Sequence, residues 1–198
     1  MQQPVTVDAE LIICNPLPSG SGWTWTLASR LGAMLSDAEA LFGPRDASYT
    51  ILGIEFRDGV PQTWYPNNCR HIVVQLGRDC LIDAHQAIFQ LAHECIHLLG
   101  PAPGSPATVL EEGLATYFSK IHTLKAGTSV NHPIPTATRY IQACSLVEQL
   151  LAIDSTVIRT MRTKQPTISV LTAADILDAC PRASQNLATQ LAAPFGAP

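Results

Sequence analysis

The sequence predicts an α+β domain, and three observations carry that prediction. Alternating, β-branched stretches are concentrated in the first 80 residues, and apolar residues at helical spacing dominate from about residue 84 onward. The two blocks follow one another instead of interleaving, so a small twisted N-terminal sheet of three to five strands should pack on helices. At 198 residues the chain can bury one substantial core, and neither an internal repeat nor a long polar linker argues for a second domain. Within 1–198 the expected parts are 1–80, mostly sheet plus one helix, 81–127, a helix pair, and 128–198, a helical subregion.

Residues 5–14, VTVDAELIIC between Val5 and Cys14, read as a first strand, and NPLPSGSG over 15–22 reads as a loop. A helix is expected over 24–43, with Leu27, Leu31, Met34, Leu35, Ala38 and Leu41 on one face and Gly43-Pro44 as its stop. YTILGIEF and VPQTWYP flank Arg57-Asp58-Gly59, which reads as a hairpin, and HIVVQL (71–76) supplies a further strand. Asp83 with Gln86 is a capping pair, and Gly100-Pro101 is a stop, giving a helix over roughly 84–99. Thr108 with Glu111 forms a second capping box, opening a helix from about 109 to 125. Further helical stretches cover about 136–153, 155–164 and 173–192, the last interrupted at Pro181.

Composition narrows the function classes. Net charge is −4 and only 14% of residues are charged, with Lys and Arg scattered, which argues against nucleic acid as a partner. No apolar run approaches the roughly 20 residues that span a bilayer, and the N-terminal residues lack a signal-peptide pattern. The expectation is a soluble, cytoplasmic protein with no membrane partner. Six cysteines, Cys14, Cys69, Cys80, Cys95, Cys144 and Cys180, form no C-x-x-C pair and are read as reduced packing thiols.

The chemistry is carried by QLAHECIHLLG (90–100) and VLEEGLATYF (109–118). On a helix, His93 and His97 stand one turn apart on one face and can aim two imidazoles at a single ion. Glu94 lies about 100° round the axis, placed to reach a water beside that ion without ligating it. The plain alternative is a helix whose two histidines are satisfied by ordinary contacts. A catalytic zinc needs a third protein ligand and an open position. Glu111 and Glu112 are adjacent and point in different directions. The capping box engages Glu111 with Thr108, which leaves Glu112 as the candidate ligand; the alternative is a solvated first-turn glutamate favoured by the helix dipole.

HECIH followed by LEEGLATYF resembles the gluzincin metallopeptidases, and the second segment is similar to the third-ligand helix of the aminopeptidase-N family. Glu112-Gly113-Leu114-Ala115-Thr116-Tyr117-Phe118 matches that helix, with Glu111 where Asn is usual. The resemblance spans about residues 90–120 and implies a compact zincin-like fold and one catalytic Zn2+ held by His93, His97 and Glu112. It further implies Glu94 as general base and a peptide or protein as substrate. Thr116 stands where thermolysin-like members carry an acidic residue beside a histidine ligand, and could hydrogen-bond a histidine ring. No stretch matches the motif with which aminopeptidases hold a free amine, so that specificity is not implied.

Gluzincins often supply a Tyr or His to the developing oxyanion from a later helix. Tyr140 is the candidate, with His122 and His132 behind it, against a plain packing role. Tyr117, at helical spacing with Leu114 and Ile121, reads as packing, and His71 and His85 read as incidental. Residues 69–76 are the candidate edge strand for pairing with an extended substrate, or else an interior strand. Trp23, Trp25, Trp64 and Tyr65 read as core, with Trp64-Tyr65 able to wall a pocket. The functional expectation is zinc-dependent peptide hydrolysis. Its alternatives are a narrowly targeted regulatory protease of the repressor-cleaving type, and an inactive zincin-fold binding module.

Overall fold

The computed structural model describes residues 15–16, 23–24, 27–68, 70–125 and 138–196. The strand expected over 5–14, together with Cys14, Cys69, Trp25 and His132, lies outside them. Within the stretch read as a loop, Asn15–Pro16 (β1) pairs antiparallel with Trp23–Thr24 (β2).

The main sheet contains Thr50–Arg57 (β3), Gln62–Trp64 (β4) and His71–Gly77 (β5), in the order β3-β5-β4. β3 and β4 therefore do not form the expected hairpin, because β5 lies between them. It runs parallel to β3, from Thr50↔His71 to Arg57↔Gly77, and antiparallel to β4, from Gln62↔Gln75 to Trp64↔Val73. The apolar content of β5 explains its place. Ile72, Val73, Val74 and Leu76 are all buried, on both faces of the strand, and a strand covered on both faces belongs in the interior of a sheet. The turn at Arg57-Asp58-Gly59 instead carries the chain over the end of β5. A Cβ on Gly77 would stand 3.2 Å from the Gly59 carbonyl, so a glycine lets the loop pass close. Of the two readings of 69–76 the interior strand is the one observed: among the described residues the sheet edges are β3 and β4.

Seven α-helices occur among the described residues: Leu27–Phe42 (α1), Ala84–His97 (α2), Val109–Lys125 (α3), Thr138–Ile153 (α4), Val157–Lys164 (α5), Ala173–Ala179 (α6) and Gln185–Ala192 (α7). α1 buries Leu31, Met34, Leu35, Ala38 and Phe42 at helical spacing and ends at Gly43, whose φ of +93° is the left-handed stop. Asp83 caps α2 by accepting from the amides of His85 and Gln86. Gln90 ties α2 to the sheet by accepting from the Gly77 amide at 2.8 Å.

Two close approaches fix α3 and the end of α2. A Cβ on Gly113 would meet the Ala143 carbonyl oxygen at 2.4 Å, so α4 rests directly against the α3 backbone. A Cβ on Gly100 would meet the Pro166 oxygen at 2.5 Å. Arg162 then clamps the helix ends. It is 5% exposed, and its five N–H donors reach the carbonyls of Phe42, Gly43, Pro44, Leu99 and Pro166 at 2.7–2.9 Å. These carbonyls lie at or just past helix C-termini, where a cation is favoured, and Leu99 O also accepts from the Asp46 amide at 2.9 Å. The four described cysteines, Cys80, Cys95, Cys144 and Cys180, are free and buried. Among the described residues no single helix is long and apolar enough to cross a membrane.

Replacing Arg162 with Met should lower unfolding free energy by about 3–5 kcal/mol, since it strands several buried carbonyls at once. Arg162→Lys should recover only part, having three donors for five acceptors. Urea titration reads both, and a loss below about 1 kcal/mol for Arg162→Met would refute the clamp.

Candidate metal centre

Apolar residues on α2 (Leu91, Ala92, Cys95, Ile96) and on α3 (Leu110, Leu114, Ala115, Phe118) belong to the same core, and that packing brings the polar faces of the two helices together. The His93 and His97 rings stand 5.2 Å apart, tilted by 60°. One ligand atom from each of His93, Glu94 and His97 lies within 4.8 Å of the others, and this group could hold a metal ion. The rest of its surroundings come from α3.

Glu112 faces both imidazoles. Its Oε2 lies 3.2 Å from His93 Nε2, and its Oε1 lies 3.8 Å from His97 Nε2. Close as the first contact is, Oε2 has no hydrogen bond of acceptable geometry. The carboxylate thus has one oxygen near each Nε2 atom. Burial works to raise the Glu112 pKa, and the His93 contact with the charges of His97, His93 and Arg139 outweighs it, leaving the group below its ordinary value.

Glu94 behaves oppositely. It is 2% exposed, its Oε2 has no hydrogen-bond partner, and burial raises its pKa despite the opposing charges of His97 and His93. Two adjoining carboxyl groups are thus driven apart, one toward the ionised form and one toward the neutral, the pattern expected of groups with different tasks.

Glu111 departs from its expected role. Its amide donates to Thr108 Oγ1 at 3.3 Å, so the backbone half of the capping box forms. The side chain turns away from Thr108 and places Oε1 3.0 Å from His97 Nδ1. A carboxylate on Nδ1 fixes the ring so that Nε2 faces Glu112. The role expected of Thr116 therefore falls to Glu111, while the Thr116 hydroxyl donates to the Glu112 carbonyl within its own helix at 2.8 Å. The clue in the sequence was the tandem glutamate itself: two first-turn carboxylates about 100° apart can address two different atoms of the histidine pair.

Tyr140 reaches the site from α4, its ring edge-on to His93 at 6.1 Å. Burial first, then the Glu112 charge, raises its hydroxyl pKa. His122 is not brought there: it packs on Phe118 at 4.4 Å and lies 3.6 Å from Asp37 of α1. Tyr117 is half-buried against the core, as expected, and His71 is exposed at the start of β5. A cleft of about 250 Å³ opens over Glu94, His97 and Glu112, with Gln62 and Thr63 of β4 and Tyr65 along its wall. Trp64, 43% exposed, is not among its lining residues.

In the metal-free protein, burial works to lower the pKa of His97, but the hydrogen bond that its Nδ1–H donates to Glu111 and the charges of Glu111, Glu112 and Glu94 raise it to about 10. Because the folded value lies above the ordinary 6.5, the stabilisation is complete below about pH 6.5 and is lost as pH rises toward 10. Metal-free protein should melt at progressively lower temperature across that interval, and Glu111→Gln should flatten the slope. A melting temperature constant from pH 6.5 to 10 in the metal-free chain would contradict the pairing.

Compared with protein-family models, with curated proteins and with solved structures, the chain finds no match.

Proposed function

We propose that the chain is a zinc-dependent peptidase whose metal ligands are His93, His97 and Glu112. The supporting observation is the Glu112 carboxylate turned toward both Nε2 atoms, with Oε2 buried and without a hydrogen bond. Two imidazoles and one carboxylate are a donor set that suits zinc with an open position, and Glu111 on His97 Nδ1 is the kind of outer contact that orients such a ligand. Zinc bound there would supply a Lewis acid that polarises a carbonyl and acidifies water.

The side chains take the remaining roles. Glu94, neighbour to both histidines and made a stronger base by the burial that raises its pKa, takes in its ionised form a proton from the attacking water and returns it to the departing amine. Tyr140, across the His93 ring, is placed to donate to the oxyanion of the tetrahedral intermediate. The edge strand β4 borders the cleft, so an extended substrate can pair with it there while Tyr65 walls a side-chain pocket. A cleft of about 250 Å³ admits little more than one side chain at a time, which favours a narrowly selective peptidase over an indiscriminate one.

Purified protein should carry one zinc per chain. Glu94→Gln should keep that zinc and lose hydrolysis of a peptide library by about 10²–10⁴-fold, whereas Glu112→Ala should lose zinc itself. Zinc content by mass spectrometry and library cleavage read the two effects separately. Full activity in Glu94→Gln would overturn the assignment, and zinc-loaded wild type without any cleavage would favour a binding module.

A further inference from the structure

A second concavity of about 740 Å³ runs along the outer face of α4 toward α7, beginning one ring away from His93. Its near end is built by Arg139 and Phe195. The Tyr140 ring, which meets His93, packs on Phe195 at 4.7 Å. The Arg139 guanidinium lies over both rings, 5.4 Å from the Tyr140 centroid and 5.1 Å from the Phe195 centroid. Gln142, Gln149 and Gln190 also line it, Gln149 farthest along α4 from Arg139. The segment carrying Phe195 is held in place by hydrogen bonds with the start of α3: Val109 N donates to Ala193 O at 2.9 Å and Phe195 N to Ala107 O at 2.8 Å.

The charge in this groove is out of keeping with its surroundings. The chain has net charge −4, yet Arg139 is the only charged side chain lining the groove among the described residues. It also stands in the first turn of α4, where the helix dipole disfavours a cation by a few tenths of a kcal/mol to about 1 kcal/mol. Helix stability does not account for an arginine there, although its charge also acts on Glu112 and it hydrogen-bonds Tyr140. The guanidinium lies over two aromatic rings and hydrogen-bonds Tyr140, yet the residue is exposed, and a planar guanidinium with further N–H donors is suited to gripping a carboxylate.

We propose that this groove is a specificity subsite for a peptide segment carrying an acidic side chain, with Arg139 as the residue that reads it. The proposal rests on the peptidase reading of the adjacent centre and names the substrate class of that site. An internal Asp or Glu fits better than a free C-terminus because the groove continues past Arg139. From Arg139 to Gln149 it follows about 15 Å of helix, the length of four or five extended residues. Glutamine amides along that path can satisfy both the N–H and the C=O groups of an extended chain whatever its sequence. Selectivity therefore falls on the one cation.

The test uses full-length Glu94→Gln protein, which binds without turning over, and fluorescein-labelled, C-terminally amidated nonapeptide pools. Each pool is randomised except for one central residue fixed as Glu, Gln or Lys. In fluorescence anisotropy at low salt the Glu pool should bind about three- to tenfold tighter than the Gln pool. Adding Arg139→Gln should remove that difference, and Arg139→Glu should turn the preference toward the Lys pool. Equal binding of the three pools would overturn the subsite, as would a Glu preference that survives Arg139→Glu. So would a Gln pool with a free C-terminal carboxylate binding as tightly as the amidated Glu pool. If Arg139 merely positioned Tyr140, its replacement would slow wild-type cleavage of every pool alike and leave this binding preference intact, again overturning the proposal. Cleavage by wild type is scored separately. Glu-selective binding without cleavage removes the peptidase reading and supports acidic-peptide recognition, whereas cleavage without charge preference removes only the subsite.

Discussion

Four ionisable side chains of α2 and α3, His97, Glu94, Glu111 and Glu112, meet His93 in a space from which water is largely excluded, and much of the fold answers to that meeting. Taking such groups out of water costs several kcal/mol each unless their charges are matched. Part of the match is internal. Glu111 sits on the Nδ1 side of His97 and Glu112 on the Nε2 side, while Glu94 escapes by leaning toward its neutral form. Two buried carboxylate oxygens nonetheless end without a hydrogen bond, beside a His93, Glu94 and His97 group that could hold a metal ion.

Holding that cluster together is the task of contacts well away from it. Gly113, next to Glu112 in sequence, allows α4 to lie on the α3 backbone, and the same contact carries Tyr140 to the His93 ring. Arg162 draws the ends of α1 and α2 onto the helical third of the chain through five carbonyls. The small sheet contributes less to rigidity than to shape, since β4 gives the cleft its outer wall. The helical third is therefore neither a separate annex nor a simple cover. It supplies one face of the centre and the groove beyond.

The parts that could be read from the sequence were those set by local chemistry. α2 and α3 begin where Asp83 and Thr108 place their caps, and α3 runs over the expected 109–125. The residues that converge, His93, His97, Glu112 and Tyr140, were identifiable from helical spacing and resemblance. Strand order was not legible in the same way, because turn residues at Arg57-Asp58-Gly59 promise a reversal but do not say which strand fills the gap. That information lies in the buried Ile72-Val73-Val74 run of β5, which marks an interior strand. Glu111 was misassigned for a similar reason. A capping box explained its presence locally, whereas the stronger partner, His97, lies 14 residues away in sequence and close only in the fold.

The most direct test is anomalous X-ray scattering at the zinc edge from crystals grown without added metal. The account predicts one peak, bonded by His93 Nε2, His97 Nε2 and the Glu112 carboxylate, with Glu94 off the ion and Glu111 still on His97 Nδ1. A peak ligated by Glu94 with Glu112 turned away, or no peak between the two imidazoles, would contradict it.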